Sequence, residues 1–501
     1  MIPILRRLSS FISVTWLAAA LLSGCASQVN PVTGRSELSV MDEASEIAEG
    51  KQAHVQVLQE YGAYDDPKLQ AYVNGIGQRL AKHSHRSELE WHFTLLDSPE
   101  INAFALPGGY VYVTRGIMAY LESEADLAGV IGHEIGHVTA RHGAQRATKQ
   151  QAAGLGVFAA TVLGAVLEAG GVGGATQAVG GLAQNVAAGS IAKYGREQEL
   201  QADGLGAEYL SRSNYDPKNM VDVIEVLKNQ ERFAEDAAKA KGRTAPPKAN
   251  WLASHPSNDQ RLQEIRQIAA RYQGQYNDEG RARYLQAING MAFGESRAQG
   301  VTRGRNFYHE PLGIALTAPA GWQIRNSPNA IVVINEAGDA GVIVNIVPAK
   351  AGNTHAEIIR NALQPVQGRT ESTVLNGLPA THFIGTRRTQ QGQEVGLEAT
   401  VVTGPSNQNY VMLYAANDAP TLQRNRPALR EAVGTFRALS SADRNAARPW
   451  VVKTVPYRSG SLAALARQSP LADLPEQQLR LLNGVYGGGE PKAGDLIKVV
   501  E

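Results

Sequence analysis

His133 and His137 stand four residues apart in 129-GVIGHEIGHVTARHG-143, with Glu134 directly after the first. On an α-helix, residues at i and i+4 lie one above the other on a single face, so two imidazoles at this spacing can share one metal ion. Glu134 falls about 100° further round, close enough to reach a metal-bound water without taking a coordination position. On its own the pattern is also what a helix with a solvated polar stripe carries. A peptidase site needs three protein ligands and one position for water. Glu199, in 199-ELQAD-203, lies far enough downstream for a second helix to cross the first. Asp203, one turn later, can accept the second ring N–H of a ligating histidine and fix its tautomer. The reading is one zinc ion held by His133, His137 and Glu199, with Glu134 as general base and Asp203 behind the ligands. The chain has a single cysteine, so no intrachain disulfide forms and a metal site uses nitrogen and oxygen donors.

These residues need elements to hold them. Ser123 followed by Asp126 is a capping-box variant, and the helix it opens is expected to run to about His142, with Gly143 as its stop. Residues 194–210 read as the second helix. Asp66-Pro67 opens an amphipathic helix carrying Leu69, Tyr72, Val73, Ile76 and Leu80. Trp91, Phe93 and Leu95 alternate as a strand does, and 101-INAFALPGGYVYVTRG-116 reads as two extended pieces joined at Pro107-Gly108-Gly109. His142, five residues after His137, is expected to point away from the metal face. His54, His83, His85 and His92 have no ligand spacing and read as structural or exposed. Residues 151–187 are almost wholly Gly, Ala, Val and Leu with Glu168 as the one charge; the uncharged run from Ala152 to Leu167 is shorter than the roughly 20 residues a spanning helix needs, and the Gly-Gly pairs beyond it make a poor span. A hairpin or lid beside the cleft is expected there, with membrane-surface contact as the alternative.

A length of 501 residues implies two to four domains. Lys and Arg number 48 against 47 Asp and Glu, a net +1, which gives no footprint for nucleic acid. Residues 1–24 read as a signal peptide: Arg6 and Arg7, an apolar run from Phe11 to Leu22, then small residues. Leu22-Ser23-Gly24-Cys25 resembles a bacterial lipobox, which makes Cys25 the lipidation site. A plain secretory signal or an uncleaved anchor is the alternative. Ala26, by likeness to Gram-negative lipoproteins, points to the outer membrane. Residues 25–43 then read as a tether.

The pairing of 133-HEIGH-137 with 199-ELQAD-203 resembles the gluzincin metallopeptidases of the HtpX/BepA-like group. Asn102-Ala103-Phe104, Thr114-Arg115-Gly116 and 255-HPSNDQR-261 match as well. The likeness runs from about Ser39 to Gln275, and the peptidase domain is placed at 44–275. It implies an α+β zincin fold with an edge strand above the site, where a substrate backbone pairs by β-augmentation. Asn102 and Ala103 match the substrate-facing segment. By the same resemblance His255 or Arg261 stabilises the oxyanion, or His255 caps the zinc and keeps the enzyme latent. His255-Pro256 as a mere helix-opening turn is the alternative.

Residues 276–305 read as a linker and 306–440 as a small α+β accessory domain, with strands at Ile331–Ile334, Val342–Val347, Thr400–Thr403 and Tyr410–Tyr414 and a closing helix at 421–438. Residues 449–501 resemble a LysM-type βααβ module, which implies peptidoglycan contact; a fold that only packs is the alternative. The function expected is a zinc metalloendopeptidase lipid-anchored to the periplasmic face of the outer membrane, acting on unfolded envelope proteins in quality control. Two other classes remain: a lipoprotein chaperone or assembly factor for outer-membrane proteins with its zinc site held closed, and a peptidoglycan-binding lipoprotein.

Overall fold

The computed structural model describes residues 26–152, 194–242, 251, 255, 259–276, 278–327, 330–389, 392–458 and 462–501. The leader, Cys25 and most of the 151–187 segment lie outside the described residues. Among the described residues no helix is long and apolar enough to cross a membrane. They divide into two compact units, one made of the described residues up to 152, 194–289 and 453–499, the other chiefly of 290–452.

The first unit carries the site. The expected tether is instead a hairpin of β1 (Ala26–Val29) and β2 (Ser36–Ser39), paired antiparallel. Asn30, buried in its turn, donates to the Ala140 carbonyl at 3.2 Å, which fastens the hairpin beside the end of the helix that carries His133 and His137. Helix α1 (Glu43–Tyr61) is capped by Asp42, and α2 (Pro67–Ala81) by Asp66, whose carboxylate accepts from Lys68 N and Leu69 N. The apolar stripe of α2 buries Leu69, Val73, Ile76 and Leu80, as its periodicity demands.

A three-stranded sheet follows, in the order β3 (His92–Leu96), β5 (Tyr110–Thr114), β4 (Ala103–Leu106). β5 is central and fully buried, parallel to β3 and antiparallel to β4. The β4–β5 turn needs its glycines: Gly108 and Gly109 adopt φ of 79° and 95°, where a side chain is strained. β4 is therefore an edge strand. Thr114 then caps α3 (Arg115–Tyr120), and Arg115 is buried with its Nε 2.6 Å from Asp97 Oδ1.

Helix α4 (Glu124–Thr139) begins with the full capping box of Ser123 and Asp126. It ends earlier than its sequence suggests. Arg141 takes φ +58°, held there by Glu46 Oε1 at 2.7 Å and the Met41 carbonyl at 2.8 Å, and α5 (His142–Ala152) starts afresh. α6 (Arg196–Arg212) crosses α4, with α7 (Asn219–Ala240) and α8 (Asp259–Ala269) packed behind. The expected linker is likewise folded in part: α9 (Arg281–Ile288) buries Tyr284, Leu285 and Ile288, and the Tyr284 hydroxyl donates to Met118 O.

The last residues of this unit complete it. Helices Leu462–Ala466 and Pro475–Leu482 lie between strands Trp450–Pro456 and Leu496–Val500. Lys498 is fully buried; its Nζ donates to the Leu121 carbonyl at 2.6 Å and lies 2.8 Å from Glu122 Oε1, just ahead of α4. Tyr486 donates to Asp236 of α7 at 2.6 Å.

The second unit is built on a seven-stranded antiparallel sheet in the order Trp322–Asn326, Ile331–Asn335, Ala340–Ile346, Asn409–Ala416, Glu394–Thr403, Leu378–Arg388, Pro365–Leu375. Helix Ala419–Gly434 covers one face through Leu429 and Val433. Ile358, Ile359 and Leu363 cover part of the other.

Candidate active site

α4 and α6 approach closely because glycines line the crossing. A Cβ at Gly136 would lie 2.8 Å from Ala202 O, and one at Gly206 would lie 3.1 Å from His133 N. This crossing brings Glu199 up to the two histidines of α4. His133 Nε2 lies 3.0 Å from His137 Nε2, and Glu199 oxygens lie 3.7 Å and 3.5 Å from those two nitrogens. His255 enters from its own turn, with Nδ1 3.1 Å from His133 Nε2 and 3.0 Å from Glu199 Oε1. All four donor atoms lie within 4.8 Å of one another and all four residues are buried. A tetrahedron of ligands at about 2.0–2.1 Å has edges of about 3.3 Å, so these separations suit a small four-coordinate cation.

The protonation pattern points the same way. His133 Nδ1 faces Asp203 Oδ1 at 2.8 Å, so the ring donates there and turns the Nε2 lone pair inward. His142 Nε2 faces Gln201 Oε1 at 2.9 Å, and its Nδ1 meets His137 Nδ1 at 2.8 Å. With Gln201 as acceptor, His142 donates from Nε2 and accepts at Nδ1, so His137 donates from Nδ1 and also presents a lone pair. Two lone pairs 3.0 Å apart, beside a carboxylate, repel unless a cation lies between them. Burial, with the neighbouring imidazoles and Arg261, holds His137 well below the usual histidine range, and burial takes His255 down to about 3. Neutral imidazole is the ligating form.

Arg261 is buried and donates from Nε and Nη2 to both oxygens of Asp203 at 2.8 and 2.9 Å, while Nη1 lies 2.7 Å from Glu199 Oε2. Arg261, which the resemblance offers beside His255 as an oxyanion donor, has its guanidinium engaged by Asp203 and Glu199. Burial opposes ionisation of Asp203, but Arg261 and His133 prevail and hold its carboxyl well below the ordinary range. Burial pushes Glu199 up to about 7.

Glu134 is wholly buried. Its Oε1 accepts from the Trp251 indole at 2.9 Å and lies 3.5 Å from His255 Nε2, while Oε2 meets no hydrogen-bond partner. Burial raises its pKa. Asn102 accepts from Ala103 N through Oδ1 at 2.9 Å, at the open edge of the sheet. The sequence reading misplaced His142, because the turn at Arg141 carries it back under His137. It also passed over Gln201, Trp251 and Tyr194, whose ring stacks on His137 at 3.8 Å. Trp251 had one visible signal, its position four residues before His255.

A buried His-His-Glu cluster beside a helical glutamate and an edge strand defines a metallopeptidase site. Residues 67–269 match the Peptidase family M48 profile, and that segment is an M48 metallopeptidase domain. The chain is similar to the beta-barrel assembly-enhancing protease of Escherichia coli (strain K12), 32% identical over 209 residues, 41% of this chain and 40% of that protein. It is also similar to the mitochondrial metalloendopeptidase OMA1 of Schizosaccharomyces pombe, 27% identical over 261 residues, 50% of this chain and 70% of that one. The match thus spans about two fifths of the length of the bacterial relative. Among solved structures, cyanobacterial PsbP from Synechocystis sp. PCC 6803 aligns with 28% of this chain and 98% of its own at 15% identity and a TM-score of 0.21.

Proposed function

We propose that this protein is a zinc-dependent metalloendopeptidase of the bacterial cell envelope, lipid-anchored through Cys25 and held latent at rest. The observation that carries the reading is the convergence of four buried donors beside Glu134 Oε2. Zinc, when bound, lowers the pKa of a water to about 7 and polarises a carbonyl. His133, His137 and Glu199 are the ligands, fixed by Asp203, His142 and Arg261. Glu134 Oε2 takes the proton of the attacking water and passes it to the leaving amine; a buried carboxylate whose pKa is raised suits that transfer. The edge of β4 at Asn102 and Ala103 receives the substrate backbone. His255 fills the fourth donor position and blocks water until it withdraws, which supports the cap over the oxyanion donor.

The single cysteine in its lipobox setting supports an outer-membrane anchor in the periplasm, and the name of the bacterial relative supports substrates among β-barrel proteins that fail to assemble. The strand–helix–helix–strand order of the last residues supports the LysM likeness, and with it peptidoglycan contact. The test is metal analysis and casein cleavage on purified full-length protein, beside Glu134→Gln and His255→Ala. Glu134→Gln is expected to keep zinc and lose cleavage, and His255→Ala to raise basal cleavage. Metal without cleavage in the parent and in His255→Ala favours the chaperone reading.

A further inference from the structure

The seven-stranded sheet of the second unit ends on a long, open strand. Among the described residues Pro365–Leu375 pairs only with Leu378–Arg388, and every residue from Val366 to Val374 is exposed. A free edge of this length is a template for another chain unless something blocks it. Pro365 and the irregular register between Pro365 and Gln367 disturb one end, but the pairing is continuous from Gln367 to Leu375. Arg369 stands opposite Ile384 and Glu371 opposite His382, and among the described residues neither charged side chain has an ion-pair partner.

The turn decides which backbone groups face outward. Asn376 and Gly377 have φ of 50° and 85°, a two-residue type I′ turn, and Asn376 Nδ2 ties it to the Gly434 and Phe436 carbonyls, both at 2.8 Å. In such a hairpin the flanking pair, Leu375 and Leu378, exchanges backbone bonds, and bonded pairs then alternate with unbonded ones. Thr373, Glu371 and Arg369 therefore direct their N–H and C=O groups into the sheet. Val374, Ser372, Thr370 and Gly368 direct theirs to the open edge. Pro379 fits this alternation: it stands opposite Val374, at a position where no N–H is needed.

A second copy laid antiparallel must set edge-facing residues against edge-facing residues, so its register moves only in steps of two. A two-fold centred on Arg369 sets arginine against arginine, and one centred on Glu371 sets glutamate against glutamate. Centred on Thr370, it sets Arg369 against Glu371 of the second copy, twice, at unbonded positions where side chains are nearest. The same centring places Gln367 opposite Thr373, Gly368 opposite Ser372, and Val366 opposite Val374, which are 46% and 66% exposed. We propose that this edge is a homodimer contact, in which two copies pair antiparallel about Thr370 and join their seven-stranded sheets into one. An unfolded polypeptide could also lie along the edge, but nothing in that role requires charges and valines to be placed symmetrically about one residue. One strand from each copy falls below the standard contact of about 1,600 Å², so association is expected in the micromolar range. The proposal is independent of the peptidase reading.

The test is sedimentation velocity on full-length protein purified in detergent, in a concentration series across the micromolar range. The parent is expected to show a monomer–dimer equilibrium. Arg369→Glu and Glu371→Arg each turn two attractive pairs into repulsive ones, and each is expected to weaken the dimer by on the order of tenfold or more. An equimolar mixture of those two variants is expected to recover it, as is the double swap Arg369→Glu/Glu371→Arg in one chain, because opposite charges face each other again. Thr370→Pro removes an edge-facing N–H without touching the ladder to Leu378–Arg388, and is expected to abolish the dimer while Tm stays near the parent's. A parent that stays monomeric throughout, reversals that leave a dimer intact, or a mixture that fails to recover it each overturn the proposal. A monomeric parent that binds labelled unfolded casein, and loses that binding in Thr370→Pro, overturns it in favour of an extended polypeptide at the edge.

Discussion

Gly136→Ala tests whether the close crossing of α4 and α6 makes the metal site. The added methyl would sit 2.8 Å from Ala202 O and 3.0 Å from Ala202 Cα. Both are backbone atoms, so no rotamer change relieves the clash. Ordinary carbon contacts begin at about 3.5 Å, so α6 must retreat locally by roughly half an ångström. Glu199 lies one turn before Ala202, and metal–ligand distances tolerate only about 0.2 Å. Alanine gains about 1 kcal/mol of helix propensity over glycine, while overpacking costs about 1–3 kcal/mol. The metal-free protein should thus range from unchanged to about 2 kcal/mol less stable. Zinc affinity should fall about 10- to 100-fold, the scale seen when a ligand's support is lost. Gly204→Ala is the control: it lies on α6, the other helix of the crossing, with nothing outside its own helix within 4 Å of its added methyl, and should stabilise by roughly 0.5–1 kcal/mol. Thermal unfolding with and without chelator, plus competition for zinc, reads both variants. If Gly136→Ala holds zinc within twofold of the parent and raises Tm as Gly204→Ala does, the crossing does not set the site.

Asp203→Asn should weaken zinc binding about 10- to 100-fold, because it takes the charged acceptor from His133 and leaves Arg261 underpaired; chelator competition reads it. Lys498→Met keeps the bulk but removes the donor to Leu121 O, and should cost about 1–3 kcal/mol in urea unfolding; an isostable variant would mean that the last strand does not brace the start of α4. His309 accepts from Leu312 N, and burial pushes it down to about 4 from an ordinary 6.5. As pH falls from 6.5 towards 4 the unfolded chain takes up the proton first, so stability falls across that window by at most about 3 kcal/mol. His309→Phe should flatten this part of the pH profile, and an identical profile would show that His309 does not contribute.

Local chemistry was legible wherever a short stretch carries its own geometry. Ser123 and Asp126 cap α4 from three residues apart, Asp66 caps α2, and Gly108-Gly109 turn β4 into β5, all through contacts between near neighbours. Elements that depend on distant partners were misread. Residues 26–39 are polar and look like a tether, yet Asn30 finds the Ala140 carbonyl 110 positions away. α4 looks continuous to His142, yet Glu46 and the Met41 carbonyl hold Arg141 in a left-handed turn that ends it.

The sequence by itself determined which atoms could meet a metal: a helix fixes His133 above His137 and sets Glu134 beside them, whatever surrounds it. It also set Asp203 one turn from Glu199. Tertiary structure decided everything that depends on approach. Gly132 and Gly136 are plain in the sequence, but only a facing Ala202 and Gly206 turn them into a contact surface. Arg261 reads, by resemblance, as a candidate oxyanion donor, and only the fold shows Asp203 and Glu199 taking its guanidinium. His255 and Trp251 lie more than a hundred residues from Glu134 along the chain, and folding brings both onto it. Spacing along a helix is fixed by backbone geometry alone, whereas a contact between distant segments exists only once the packing that excludes water from both has formed.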